Sequence, residues 1–326
     1  MQLGIVDPNG PLDEQVSAMD RACRELGFFR IPIGVVAPEI REAAWDAAAA
    51  FFTLSETTKR EIEFPEPGYP YGYSPFGAET LAKSLDDTEA PPDLKESLSV
   101  GPDCGPTRTP VDGEDWIMSP SLWPANPPEL AAAWTAYYQA LSDVSEQLMR
   151  IMALALQLPG DHFTRLIDRP ITSMRAIHYP ATPTRDDSLR AGAHSDSLRA
   201  GAHSDSLRAG AHSDYGTFTI LRTDHVPGLE IMGPDGDWIP VDPDPNFFIV
   251  NLGDTIAQWT NDRWRSTLHR VVPAAEPRQS FAFFHMANWD AVIECLPTCL
   301  GEGETPRHEP VQAGPWLMRK FQSTVV

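Results

Sequence analysis

No run of apolar residues in this 326-residue chain approaches the roughly 20 that a bilayer-crossing helix needs, so no membrane-spanning helix is expected. Basic residues are scarce and scattered: 25 Lys and Arg stand against 46 Asp and Glu, a formal net charge of −21. The Lys/Arg stripe required by a phosphate backbone is missing, which argues against nucleic acid and anionic membranes as partners. The N-terminal MQLGIVDPNG lacks the basic-then-apolar order of a secretory leader. The four cysteines, Cys23, Cys104, Cys295 and Cys299, form no C-x-x-C pair, and the CLPTC spacing fits no common zinc site. Both features point to reduced thiols and a cytoplasmic location. None of them bears on oligomeric state.

What is present is a long helical part followed by a β-rich part. Residues 12–28 carry apolar positions at helical spacing, and GFFRIPI follows as a short strand closed by Gly34. APEIREAAWDAAAAFFTLSETTKREIEF is an Ala-rich helical stretch, with a further turn beginning near Ser55 to Lys59. In EPGYPYGYSPFG, Gly, Pro and Tyr alternate too densely for helix or strand, which predicts an aromatic loop suited to a pocket wall. Residues 87–128 read as irregular connections with strand-like pieces such as ESLSV. ELAAAWTAYYQALSDVSEQLMRIMALALQL then predicts a long spine helix stopped at Pro159-Gly160.

Beyond Pro170 the pattern changes to short β-rich runs: SMRAIHY, YGTFTILR, GLEIM, WIPV, FFIVNLG, TIAQW, LHRVV and QSFAFFHM, with a hairpin at Asp235-Gly236. Many short strands at regular spacing predict a sandwich, jelly roll or barrel. WLMRKFQSTVV closes the chain as a helical or extended tail.

Within the β-rich part, AGAHSDSLRAGAHSDSLRAGAHSD (191–214) states a His-x-Asp pair three times. On a strand, residues i and i+2 share a face, so such a pair offers an imidazole nitrogen and a carboxylate oxygen to one ion. A third ligand is needed, and His269 in STLHRVV lies on a later strand. Two histidines and one carboxylate on one face leave positions free, an arrangement suited to non-haem Fe(II) and O2. Nine residues on, Arg278 and Ser280 share a strand face, and a guanidinium beside a hydroxyl clamps a carboxylate. A metal facing such a clamp suits 2-oxoglutarate.

The segments GFFRIPIG, DLKESLSVG, LWPANPP, HYPAT, GAHSDYGTFTIL, DGDWIPVDPDPNFFIVNLGDTIAQWTNDRWRSTLHRVV and RQSFAFFHMANWDAVIECLPTC resemble, in that order, the isopenicillin N synthase-like family of Fe(II)/2-oxoglutarate-dependent oxygenases. The resemblance runs from about Cys23 to Phe321. It implies a mainly β fold with flanking helices, a distorted jelly roll (double-stranded β-helix), with an N-terminal helix/strand region over 1–128 and the spine helix plus core over 129–326 as one structural unit. Carried over by position, it implies His212, Asp214 and His269 as iron ligands, and Arg278 and Ser280 as the clamp for 2-oxoglutarate. It adds Tyr179 as a further contact to that co-substrate; a sheet-packing aromatic is the plainer alternative. The implied activity is oxidation of a small molecule by O2, through hydroxylation, desaturation or ring formation, with release of succinate and CO2. Two alternatives stay open: an oxidase of the same family that uses no 2-oxoglutarate, and a protein that binds but does not react. Substrate contacts are expected from the N-terminal loop, at Tyr69, Tyr71, Tyr73 and Phe76.

The family pattern has one His-x-Asp where this chain has three. Ligation by His194 and Asp196 would put eighteen extra residues between the aspartate and the strand YGTFTIL. With His212 and Asp214, the extra residues merely lengthen a loop, at about 0.6 kcal/mol for each doubling. The third copy is therefore assigned, and His194, Asp196, His203 and Asp205 are read as loop residues. His162, His178, His225, His285 and His308 receive no metal role, although His285, following the clamp strand, could face the pocket.

Overall fold

The computed structural model describes residues 1–80, 92–181 and 207–325. Helix α1 (Leu12–Glu25) leads into β1 (Phe28–Pro32), then α2 (Pro38–Phe52) and the single turn α3 (Glu56–Lys59). Ser55 caps that turn, its hydroxyl accepting from the Thr58 amide at 3.2 Å. Strands β2 (Gly72–Ser74) and β3 (Glu96–Val100) precede the spine helix α4 (Leu130–Ala155). The β-rich part supplies β4 (Ser173–Tyr179), β5 (Ala209–His212), β6 (Phe218–Thr223), β7 (Leu229–Met232), β8 (Trp238–Pro240) and β9 (Phe247–Leu252). The short helix α5 (Asp254–Trp259) follows, then β10 (His269–Val271), β11 (Arg278–His285), β12 (Val292–Ile293), β13 (Val311–Gln312) and helix α6 (Ala313–Val325).

A seven-stranded sheet of order β1-β9-β6-β11-β4-β3-β2 faces a four-stranded sheet of order β5-β10-β7-β8, the two-layered form of a jelly roll. Strands from the first 128 residues thus form both edges of the large sheet. Alternation sorts its two faces. Met174, Ala176, Phe281 and Phe283 join the helix-packed core. Ser173, Arg175, Ile177 and Tyr179, with Arg278, Ser280, Ala282 and Phe284, line a cavity between the sheets. The spine helix covers the first face through Trp134 and Tyr137 against Phe281 (ring centroids 5.1 and 5.5 Å) and Tyr138 against Phe283 (5.1 Å).

Four sequence expectations need correction. The aromatic loop contains β2, paired with β3 in the register Tyr73↔Leu98. Gly72 makes this possible: its φ is +120°, and a Cβ there would lie 2.6 Å from the Ile62 carbonyl. TIAQW is not a strand but α5, because a short apolar run buried all round carries no period that separates the two. The spine helix stops at Ala155, ahead of Pro159. Gln157 adopts φ +60°, the Gln157 amide donates to Leu154 O (3.0 Å), and the Leu158 amide donates to Ala153 O (2.9 Å). That is a Schellman ending without glycine, invisible to a rule that looks for Gly or Pro. Finally, β5 ends at His212, so Asp214 lies just past the strand rather than on it.

Candidate active site

The site is built from the small sheet on one side and the large sheet on the other. His212 on β5 and His269 on β10 are direct cross-strand partners, their ring centroids 4.3 Å apart. Each ring is oriented by a backbone carbonyl: Nδ1 of His212 meets Gly210 O at 2.7 Å, and Nδ1 of His269 meets Thr267 O at 3.2 Å. A carbonyl only accepts, so Nδ1 carries the hydrogen and Nε2 keeps its lone pair. Both Nε2 atoms converge on Asp214 Oδ1, at 3.9 Å from His212 and 3.8 Å from His269. Ligand atoms of the three residues lie within 4.8 Å of one another, and among the described residues they form a group able to hold a metal.

Asp214 is held from behind. Its Oδ2 accepts from Thr219 Oγ1 on β6 and from Asn251 Nδ2 on β9 (2.6 Å), leaving Oδ1 free for the centre. Its carbonyl accepts from the first amide of α5, Asp254 N, at 2.8 Å. Gly253 allows this approach, since a Cβ there would fall 2.3 Å from Gly216 O. Burial, followed by the neighbouring His269, pushes the His212 imidazolium down to about 4, so the ring is neutral near pH 7. Burial by itself raises the Asp214 carboxyl, but the two imidazoles and the bonds from Thr219 and Asn251 outweigh it and hold the group ionised. Two imidazoles and a carboxylate form a hard-to-borderline donor set that fits ferrous iron.

Across the cavity, Arg278 and Ser280 on β11 stand beside Tyr179 and Ile177 of β4. Nε and Nη1 of Arg278 and Oγ of Ser280 are sealed from solvent and have no hydrogen-bond partner among the described residues. Unspent buried donors are costly unless a ligand takes them up. The Arg278 guanidinium lies 5.2 Å from the Tyr179 ring, and Arg208, fully buried, lies 5.9 Å from the same ring. Arg208 Nη2 donates to the carbonyls of Pro180 (2.8 Å), Ala274 (2.8 Å) and Glu276 (2.9 Å), fastening the chain on both sides of the clamp.

All three metal-ligand candidates and all three clamp candidates line the same cavity, as does Tyr71. Tyr73 and Phe76 do not. The left-handed turn at Gly72 breaks the alternation between Tyr71 and Tyr73. Tyr73 is therefore 1% exposed in the helix-packed core, donating to Glu96 Oε2 at 2.6 Å. Phe76 is 52% exposed. Tyr69 donates its hydroxyl to Pro120 O. His285 does not reach the cavity: it is buried, stacked on Phe218 and bonded to Thr217 Oγ1 at 2.6 Å. His194, Asp196, His203 and Asp205 lie outside the described residues. Sequence reasoning missed Thr219 and Asn251, whose only signal is their position on inward-facing strands. It also missed Glu79, Lys95, Arg175, Trp116 and Phe321 in the cavity wall.

A jelly roll whose cavity brings a His-x-Asp…His group able to hold a metal opposite an Arg-x-Ser pair has the arrangement of a non-haem iron oxygenase. A model of the 2OG-Fe(II) oxygenase superfamily matches residues 170–287. A model of the N-terminal region of non-haem dioxygenases in morphine synthesis matches residues 3–126. The chain belongs to the 2OG-Fe(II) oxygenase superfamily and is an Fe(II)- and 2-oxoglutarate-dependent dioxygenase. Among its relatives, the 2-oxoglutarate-Fe(II) type oxidoreductase hxnY of Emericella nidulans is 31% identical over 91% of this chain and 80% of that protein. A homoarginine-6-hydroxylase of Oryza sativa subsp. japonica is 30% identical over 99% and 94%. The crystal structure of a full-length Neurospora crassa protein in complex with alpha-KG and thymine superposes with a TM-score of 0.80 at 26% identity, covering 98% of this chain and 96% of that one.

Proposed function

We propose that His212, Asp214 and His269 hold the ferrous ion, and that Arg278, Ser280 and Tyr179 receive the distal carboxylate of 2-oxoglutarate. The observation that carries this reading is the set of unspent buried donors on Arg278 and Ser280, facing the cavity that also holds the three convergent ligands. Bound iron, with 2-oxoglutarate and O2, supplies the oxidising power to remove hydrogen from an unactivated C–H bond, yielding succinate and CO2. The protein's own part is positional. Gly210 O and Thr267 O fix both tautomers, Thr219 and Asn251 aim the carboxylate, and the sealed clamp end excludes water.

The substrate is a small organic molecule; homoarginine hydroxylase and a thymine-bound neighbour support that reading. The regions 1–128 and 129–326 act as one unit, because β1, β2 and β3 share a sheet with β4, β6, β9 and β11. A cytoplasmic setting is part of the same proposal, supported by the free, buried thiols of Cys23 and Cys104.

The test is an iron titration with a succinate measurement from labelled 2-oxoglutarate, run on the unaltered chain and on His212→Ala. One iron per chain, succinate from the unaltered chain, and loss of both in the variant are expected. Stoichiometric iron without succinate under any condition would favour the oxidase that uses no 2-oxoglutarate. Absence of iron binding would overturn the site altogether.

A further inference from the structure

Two arginines face the cavity from neighbouring strands. Arg278 stands opposite Tyr179 in the β4–β11 ladder and Arg175 opposite Ala282, so four registers, roughly 13 Å of strand, separate them. They differ in how their donors are used. Arg278 keeps Nε and Nη1 unpartnered, whereas Arg175 donates Nε to Ser99 Oγ (2.8 Å) and Nη1 to Glu79 Oε2 (2.9 Å). Its Nη2 has no partner among the described residues, and the side chain is 21% exposed at the cavity wall. Beside it, Lys95, 3% exposed, meets Glu79 Oε2 at 3.3 Å and Asp93 Oδ2 at 3.0 Å. Among the described residues, two cations, Arg175 and Lys95, thus stand against two carboxylates, Glu79 and Asp93, at this end.

The other end carries one cation more, since Arg208, behind Tyr179, is held by three backbone carbonyls. Asp214 and the oxo-acid carboxylate of the co-substrate offset the two charges of ferrous iron, and the distal carboxylate offsets Arg278. A substrate carboxylate placed against Arg175 would add a charge that the paired groups around it leave without a counter-ion, at a largely enclosed wall where an unpaired charge is unfavourable. A neutral carbonyl or amide oxygen accepts from Nη2 and adds no charge. Tyr71, Ile117, Met286 and Leu317 line the same cavity, with Trp116 and Phe321 edge to face at 5.0 Å and the uncharged hydroxyls of Ser173 and Thr80.

We propose that Arg175 anchors the substrate, and that the substrate is a compact uncharged molecule presenting a carbonyl or amide oxygen to Nη2. This inference rests on the oxygenase reading, because iron and 2-oxoglutarate enter the charge count. The test uses benzamide and benzoate, nearly equal in shape and different in charge, titrated calorimetrically into the protein loaded with Fe(II) and 2-oxoglutarate in the absence of O2. Benzamide is expected to bind at least tenfold more tightly than benzoate, and Arg175→Met to weaken benzamide tenfold or more. Glu79→Gln removes the carboxylate that balances Arg175 and is expected to move the preference at least tenfold toward benzoate, a gain that misfolding does not imitate. Benzoate binding as tightly as benzamide to the unaltered chain, no saturable benzamide binding, unchanged affinity in Arg175→Met, or an unmoved order in Glu79→Gln each overturns the proposal. Failure of the oxygenase reading is separate: it shows as absent succinate in the unaltered chain, whatever the order of the two probes.

Discussion

The two faces of β4 and β11 are made by alternate residues of the same strands, and they obey opposite rules. Toward the spine helix, Phe281 and Phe283 meet Trp134, Tyr137 and Tyr138 in close aromatic contact. Toward the cavity, Arg278 and Ser280 keep buried polar atoms with no partner. One face gains stability from completed packing, while the other holds unsatisfied donors ready for a ligand. Since neighbouring residues serve different ends, a single substitution can separate stability from binding.

The largest effect is expected on the packed face. Phe281→Ala should lower unfolding stability by about 3–5 kcal/mol in denaturant titrations. The KM for 2-oxoglutarate, measured where the variant is fully folded, should stay near that of the unaltered chain. Next comes the cavity face, where Arg278→Gln should weaken 2-oxoglutarate by about 2–5 kcal/mol, some 30-fold or more, with little change in melting temperature. A large KM effect from Phe281→Ala with none from Arg278→Gln would erase the contrast.

β3 sharpens the comparison, because its helix-facing side carries a polar exception. Glu96 accepts from Lys59 Nζ (2.5 Å) and Tyr73 (2.6 Å), and its other oxygen meets His178 Nδ1 (2.8 Å). Burial raises this carboxyl, but its bonds to His178, Lys59 and Tyr73 outweigh that and bring it down to about 2 from the ordinary 4.5. A carboxyl lowered on folding stabilises fully above its unfolded value, and that contribution fades as pH falls from about 4.5 toward 2. Glu96→Gln should lower the melting temperature at pH 7 and flatten the acid limb over that window; an unchanged acid limb would show that the cluster contributes nothing there.

The smallest effect concerns the repeat. Arg208, just ahead of β5, fastens Pro180 to the turn before β11. Deleting residues 188–205, two of the three copies, should change stability by less than about 1 kcal/mol, as loop-length changes do. Succinate formation should stay within about twofold; collapse of iron binding on this deletion would return the earlier copies to consideration.

Much of the site was legible because its ligands are sparse residue types at telling spacings. His212-x-Asp214, His269 and Arg278-x-Ser280 were readable as a metal centre and a clamp before their convergence was known. Tyr71, Tyr73 and Phe76 could not be sorted, because one left-handed glycine between the tyrosines reverses the facing of everything after it. Thr219 and Asn251 were illegible for another reason: their role exists only through Asp214, five and thirty-seven positions away. The short helix α5 went unread because its five consecutive buried residues, Thr255 to Trp259, display no period.

Local chemistry and spacing were thus enough to indicate a β-rich sandwich, jelly roll or barrel, the spine helix and the His-x-Asp, His and Arg-x-Ser candidates, since each depends on residue type and period, while the family resemblance narrowed the fold to a jelly roll and added Tyr179. Tertiary structure alone decided which tyrosine reaches the cavity, what aims Asp214, and how Glu79 and Lys95 surround Arg175. Those depend on strand register and on charges brought together from distant segments, and neither is encoded in any one stretch of the chain.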